Sequence, residues 1–166
     1  MNPAVTVALF STGNIGAVRG LIYIVFQLAG AIVGAYCAQS VTLGGKLLGV
    51  NTIAPTISVG SAAFAEMLMT FVLVMTVYAT AVDGDNFSSG LAPLYIGLSV
   101  FALHIVGIPI DGTSINPART FGASVVANDW TNQWVFWVGP ITGGLFAASV
   151  FTTMSTVRKH FEKKNQ

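Results

Sequence analysis

Long apolar runs alternate along this chain with short polar or glycine-rich breaks. Four of the runs reach the roughly 20 residues that a helix needs to cross a bilayer. They are Val18–Val41, Ala62–Val82, Leu91–Ile110 and Gln133–Val157. Two more, Pro3–Phe10 and Pro117–Ala127, are too short to span, and each begins at an Asn-Pro pair. The breaks carry turn chemistry: Gly44-Gly45 with Pro55, then Asp83 to Asn86 with Ser88-Ser89-Gly90, and Asp111-Gly112. The pattern predicts an all-α membrane protein with four full spans and two half-helices.

The same pattern repeats. Shifting the chain by 114 positions, the difference between Asn2 and Asn116, lays Asn2-Pro3-Ala4 on Asn116-Pro117-Ala118. It also brings Thr6 onto Thr120 and Gly30 onto Gly144. Each copy reads as a half-helix, a loop and a full span. Two spans precede the half-helix of the second copy, and only Met1 precedes that of the first. If the repeat is whole, two N-terminal spans are missing and the chain is partial. Three spans per copy put the copies in opposite orientations, the inverted-repeat plan of membrane transport folds. The expected organisation is one incomplete domain over 1–166. Residues 1–60 form the first repeat and its following loop, 61–157 the second repeat, and 158–166 a tail.

Composition narrows the class. Charged residues are 8% of the chain and apolar residues 54%, against roughly a quarter charged in soluble domains. A net charge of +1 leaves no footprint for nucleic acid. The single Cys37 excludes an intrachain disulfide framework or a cysteine-rich metal site, and is read as a packed apolar side chain. No secretory leader is expected, since Met1 runs directly into Asn-Pro. Arg158, Lys159, Lys163 and Lys164 follow the last span and Arg19 opens the first, whereas Lys46 stands alone on the other side. The positive-inside tendency then places the C-terminus in the cytoplasm. In that orientation the sequon Asn86-Phe87-Ser88 faces the cytoplasm and stays unglycosylated.

The Asn-Pro-Ala triplets carry the chemistry. Backbone that stops part-way through a membrane must be buried in protein or line a water cavity. Proline fits the first helical position because its missing N–H would be orphaned there. Asparagine caps the helix and keeps amide hydrogens for a ligand, and alanine is small enough for two such starts to abut. Two facing half-helices aim their positive dipole ends at one place. A cation meets a barrier there, while water accepts hydrogen bonds from Asn2 and Asn116. One triplet alone reads as a plain helix start; two in register within a hydrophobic repeat do not.

Asn2-Pro3-Ala4-Val5-Thr6 and Ile115-Asn116-Pro117-Ala118-Arg119-Thr120-Phe121-Gly122 resemble the two signature loops of the aquaporin family. The resemblance runs from the first signature loop to the last span. It implies an inverted repeat of six spans with two re-entrant half-helices, a pore in each subunit, a homotetramer, and water as permeant. It further implies that Arg119 and His104, fifteen residues earlier, narrow the outer mouth, with Thr113 at a third constriction position. The fourth position falls in a span outside this sequence. Glycerol-conducting relatives tend to carry Asp after the pore arginine, a basic residue five places on, and Pro with an aliphatic residue in the last span. Thr120, Ser124 and Phe136-Trp137 stand at those positions and resemble water channels.

From the residues themselves, Arg119 is a permanent charge in an apolar region, which is costly and usually functional. A lone His104 in an apolar span is a weak signal and by itself favours a structural role; its spacing to Arg119 under the resemblance reverses that. Glu66 stands unpaired in a span with Thr70 one turn later. It resembles the family glutamate that braces a signature loop, and Gln27 resembles a second brace; proton relay through Glu66 is the alternative. Gly30 with Gly34, and Gly143-Gly144, suit close helix packing. Trp130, Trp134 and Trp137 suit an aromatic belt. Ser88 and Ser89 are the positions open to phosphorylation. The expected function is a passive water channel without cofactor or metal, in a plasma or vacuolar membrane. A glycerol or small neutral solute facilitator, and a junction or structural membrane protein on the same fold, are the alternatives. An enzyme is not expected, because no nucleophile–base pair or phosphate loop is present in the sequence.

Overall fold

The computed structural model describes residues 2–45, 49–83 and 89–165. Lys46, the sequon Asn86-Phe87-Ser88 and the phosphorylation candidate Ser88 lie outside them. Among the described residues six α-helices follow in order: α1 (Pro3–Ser11), α2 (Ala17–Val41), α3 (Val59–Val77), α4 (Ala92–Asp111), α5 (Pro117–Ala127) and α6 (Val135–Lys164). A π-helical stretch, Tyr78–Val82, extends α3. The helices α2, α3 with its extension, α4 and α6 are each long and apolar enough to cross a membrane. The molecule is an all-α membrane protein with two half-helices.

Helix boundaries follow local chemistry. Asn2 and Asn116 take extended backbone and cap α1 and α5, each with proline in the first turn. Ser58 caps α3 by accepting from the N–H of Ser61, which starts this helix three residues before the expected Ala62. Gly112, with φ of +82°, ends α4 in the left-handed region that glycine enters freely. The tail expected after Val157 is instead helical to Lys164. Hydropathy falls at Arg158, but helix propensity does not, and Arg158 lies near Glu162 one turn on.

The two copies interlock. The span α2 packs on the half-helix α5, and the span α6 packs on the half-helix α1. Close approach depends on small residues. A Cβ at Gly143 would run into the carbonyl oxygen of Met67, and one at Gly139 would lie 2.7 Å from the Cβ of Glu66, so α6 and α3 meet nearly backbone to backbone. Gly144 faces Ala4 and Ala8 of α1, and Gly122 of α5 faces the backbone of Ala31. A Cβ at Gly30 or Gly34 would meet no described residue of this chain within 4 Å, so the packing expected of this face is not made within the chain. The face of α2 that meets α5 carries Ala31 instead. Cys37, expected to be packed, is exposed in this chain.

α3 serves as a ruler for the rest. Near its start, Ala62 clusters with Val135 and Phe136 of α6. Near its end, Val74 and Tyr78 cluster with Ala8 of α1 and Ala147 of α6. The hydroxyl of Tyr78 donates to the carbonyl of Ala8 at 2.7 Å and meets Thr12. Thus α1 runs from mid-molecule toward the Tyr78 end. Phe121 of α5 packs edge-on against Trp130 and Trp137, beside the start of α6, so α5 runs the opposite way.

Candidate functional site

The half-helix starts meet. The side-chain oxygen of Asn2 accepts from the N–H of Ala4 at 2.9 Å, and that of Asn116 accepts from the N–H groups of Ala118 and Arg119 at 3.1 and 3.4 Å. The side-chain amide of Asn2 donates to the carbonyl of Ile115 at 2.6 Å, the residue directly before Asn116. One of the two amide hydrogens of Asn2 is therefore committed to joining the copies.

The segment entering α5 is unusual backbone held by side chains. Thr113 and Ile115 have φ of +55° and +46°, in a region that costs most residues roughly 1–3 kcal/mol. Glu66 offsets this cost. Its two carboxylate oxygens accept from the backbone N–H groups of Ser114 and Ile115, each at 2.6 Å. Asp111 accepts from the N–H of Thr113 at 2.9 Å. Glu66 and Asp111 are both fully buried. Burying a carboxylate in an apolar span is costly unless hydrogen-bond donors surround it, and for Glu66 the distorted loop supplies two.

On the α1 side, Gln27 donates to the hydroxyl of Thr6 at 3.0 Å, and Thr6 donates to the carbonyl of Asn2 at 3.0 Å. Gln27 thus reaches the first triplet through Thr6.

A cleft of about 470 Å³ opens at the junction. Asn2, Asn116, Gln27, His104 and Arg119 line its polar side; Leu73, Val77, Ile96 and Val100 form an apolar wall. His104 and Arg119 are brought together here although they lie on different helices. The ring Nδ1 of His104 sits 2.8 Å from the carbonyl of Val100. A carbonyl only accepts, so Nδ1 carries the proton and a neutral ring keeps Nε2 as its acceptor. Arg119 donates to the side-chain oxygen of Asn51, and more weakly to the carbonyl of Gly112 at 3.4 Å. Thr113 is not among the lining residues. Its side chain is fully buried and fills the space left by Gly107.

Three residues that shape the site escaped the sequence reading. Asp111 reads there only as part of a turn, and neither Ser114 nor Asn51 stands out at all. Ser114 ties the loop to α5, its hydroxyl lying 2.6 Å from that of Thr120. An acid directly before Gly112, at the end of an apolar run, is the one signal available for Asp111; no local pattern marks Asn51.

The family model of the major intrinsic proteins matches residues 1–151. The chain is 46% identical over 163 residues to aquaporin PIP2-7 of Arabidopsis thaliana, covering 90% of this chain and 57% of that protein. It is 44% identical over 152 residues to aquaporin TIP1-2 of Zea mays, covering 91% and 59%. The chain therefore spans about three fifths of the length of these curated relatives. Among solved structures it superimposes on the aquaglyceroporin from Plasmodium falciparum with a TM-score of 0.80, at 23% identity, covering 90% of this chain and 70% of that one. At that identity the likeness is one of fold.

Proposed function

The chain belongs to the major intrinsic protein family, and from that premise we propose that it contributes most of a pore conducting water in single file while turning back cations and protons. The observation that carries this reading is the bond from Asn2 to the carbonyl of Ile115. It brings two helix N-termini to one point on the wall of the cleft, where their partial positive charges add. A permeating cation gains nothing there and loses its hydration, whereas water exchanges its hydrogen bonds for those of fixed side chains. Arg119 adds a full positive charge, and His104 supplies bulk and an acceptor on the same cleft.

Water is favoured over glycerol by Thr120, Ser124 and Phe136-Trp137, which depart from the glycerol-type pattern, and by relatives named as aquaporins of the PIP and TIP groups. One observation supports the second reading, a facilitator of glycerol or another small neutral solute. The wall of Leu73, Val77, Ile96 and Val100 suits a carbon chain. Stopped-flow light scattering of proteoliposomes holding the full-length protein separates the two. Rapid osmotic water flux without glycerol flux supports the water reading. Comparable glycerol flux replaces it with the second, and flux of neither favours a structural membrane role. Assembly as a homotetramer, a plasma or vacuolar membrane, a cytoplasmic C-terminus, and division into repeats over 1–60 and 61–157 belong to the same proposal.

A further inference from the structure

Asn51 lies in none of the helices. It sits between the short 3-10 turn Leu43–Gly45 and α3, yet only 6% of it is exposed. The surrounding strand of loop is docked on the end of α4: the N–H of Thr52 donates to the carbonyl of Asp111 at 3.1 Å, and that of Ala54 to the carbonyl of Ile110 at 2.8 Å. The Asn51 carboxamide is used on both sides. Its nitrogen donates to the carbonyl of Asp111 at 3.1 Å, which fixes the plane of the group. Its oxygen accepts from the Thr120 hydroxyl at 2.6 Å and from the Arg119 guanidinium.

The other hold on the guanidinium is a bond of 3.4 Å to the carbonyl of Gly112, at the long limit for such contacts. An arginine has many rotamers, so its place across a pore mouth depends on what pins the fork. A neutral acceptor pins it without cancelling its charge. We propose that Asn51 is the positioning residue for Arg119: its amide oxygen holds the guanidinium across the mouth of the cleft and thereby sets which solutes pass. The inference rests on the channel reading above and adds to it the residue on which discrimination depends. It also explains why the loop before α3 is tied to α4 by backbone bonds, since a loose loop would carry the acceptor away from Arg119.

The test uses the full-length protein in proteoliposomes and reads ratios of permeability, which do not change with the amount of folded protein. Asn51→Ala removes the acceptor, and the glycerol-to-water ratio rises about tenfold, the scale of one lost charge-assisted hydrogen bond. Asn51→Asp keeps an acceptor oxygen but pairs the guanidinium with a negative charge. Glycerol exclusion then stays, while proton leak relative to water rises several-fold because the cation barrier is neutralised. A merely structural role lowers all fluxes together in Asn51→Ala and leaves the ratio at its wild-type value, which would overturn the inference. Should Asn51→Ala fail to fold, Asn51→Asp decides alone: a proton leak at the wild-type level overturns it. A wild type that conducts neither water nor glycerol strikes the channel reading itself, a different outcome from a discriminating wild type with equally discriminating variants.

Discussion

Asn2 and Ile115 lie 113 positions apart, yet the amide of the first bonds the carbonyl of the second at 2.6 Å. Two half-helices from the two copies are thereby clasped at their starts, and the cleft opens beside the clasp. Asn2→Ala removes both this bond and the cap on Ala4. A cap alone is worth about 1 kcal/mol and a buried hydrogen bond about as much again. The substitution therefore lowers the thermal midpoint in detergent and weakens proton exclusion together. A variant as stable and as proton-tight as the wild type would refute the clasp.

Glu66 is the next point of leverage. Glutamine at this position keeps one acceptor and turns an NH2 group toward a backbone N–H that has nowhere else to go. Glu66→Gln is expected to cost about 2–3 kcal/mol, and Glu66→Ala more, because two buried N–H groups are then orphaned. Denaturation followed by tryptophan fluorescence in detergent reports the difference. Equal midpoints for wild type and Glu66→Gln would mean that the loop holds its shape without the carboxylate.

The contact between α3 and α6 predicts opposite outcomes for two glycines. Gly143→Val drives a side chain into the carbonyl of Met67, backbone that cannot give way, and prevents the helices from closing. Little folded protein is expected by size-exclusion chromatography in detergent. Gly60→Ala sits at the start of α3 with nothing within 4 Å, and gains up to about 1 kcal/mol of helix propensity.

At the other end of α3, Tyr78→Phe removes the hydroxyl that donates to the carbonyl of Ala8, one of the last acceptors of α1. The pair is buried, so the loss should be about 1–2 kcal/mol in thermal denaturation. The Asp83–Arg158 pair, bonded at 2.9 and 3.1 Å but partly exposed, behaves differently. A double-mutant cycle should return a coupling of about 1 kcal/mol or less that fades with added salt.

Much of the fold was legible in the sequence because hydropathy and the Asn-Pro caps are local signals. The starts of α1 and α5 coincide with the prolines at Pro3 and Pro117, and the four long runs became four long helices. Errors fell where hydropathy is a poor guide to backbone. Val59 lies inside α3 because Ser58 caps it, and α6 continues past Val157 because charge does not end a helix. The pairing of helices was not legible. Gly30 and Gly34 have the spacing of a packing face, but within this chain α2 meets α5 through Ala31, and spacing carries no information on which partner a face meets. Within the site, Asn2, Asn116, His104 and Arg119 stand out as polar residues in apolar runs. Asn51 does not, since an asparagine in a loop is ordinary. Its partners Asp111, Arg119 and Thr120 are 60 or more residues away, and only the folded chain brings them together.

The central claim is that the clasped half-helices and Arg119 pass water and stop protons at the same place. Its most direct test measures both fluxes in one preparation: proteoliposomes holding the full-length protein, loaded with a pH-sensitive dye and challenged in turn with an osmotic step and a pH step. Water permeability should rise in proportion to the protein reconstituted, while the rate of internal pH change stays at that of protein-free vesicles. Proton entry that climbs in step with water flux would contradict the account.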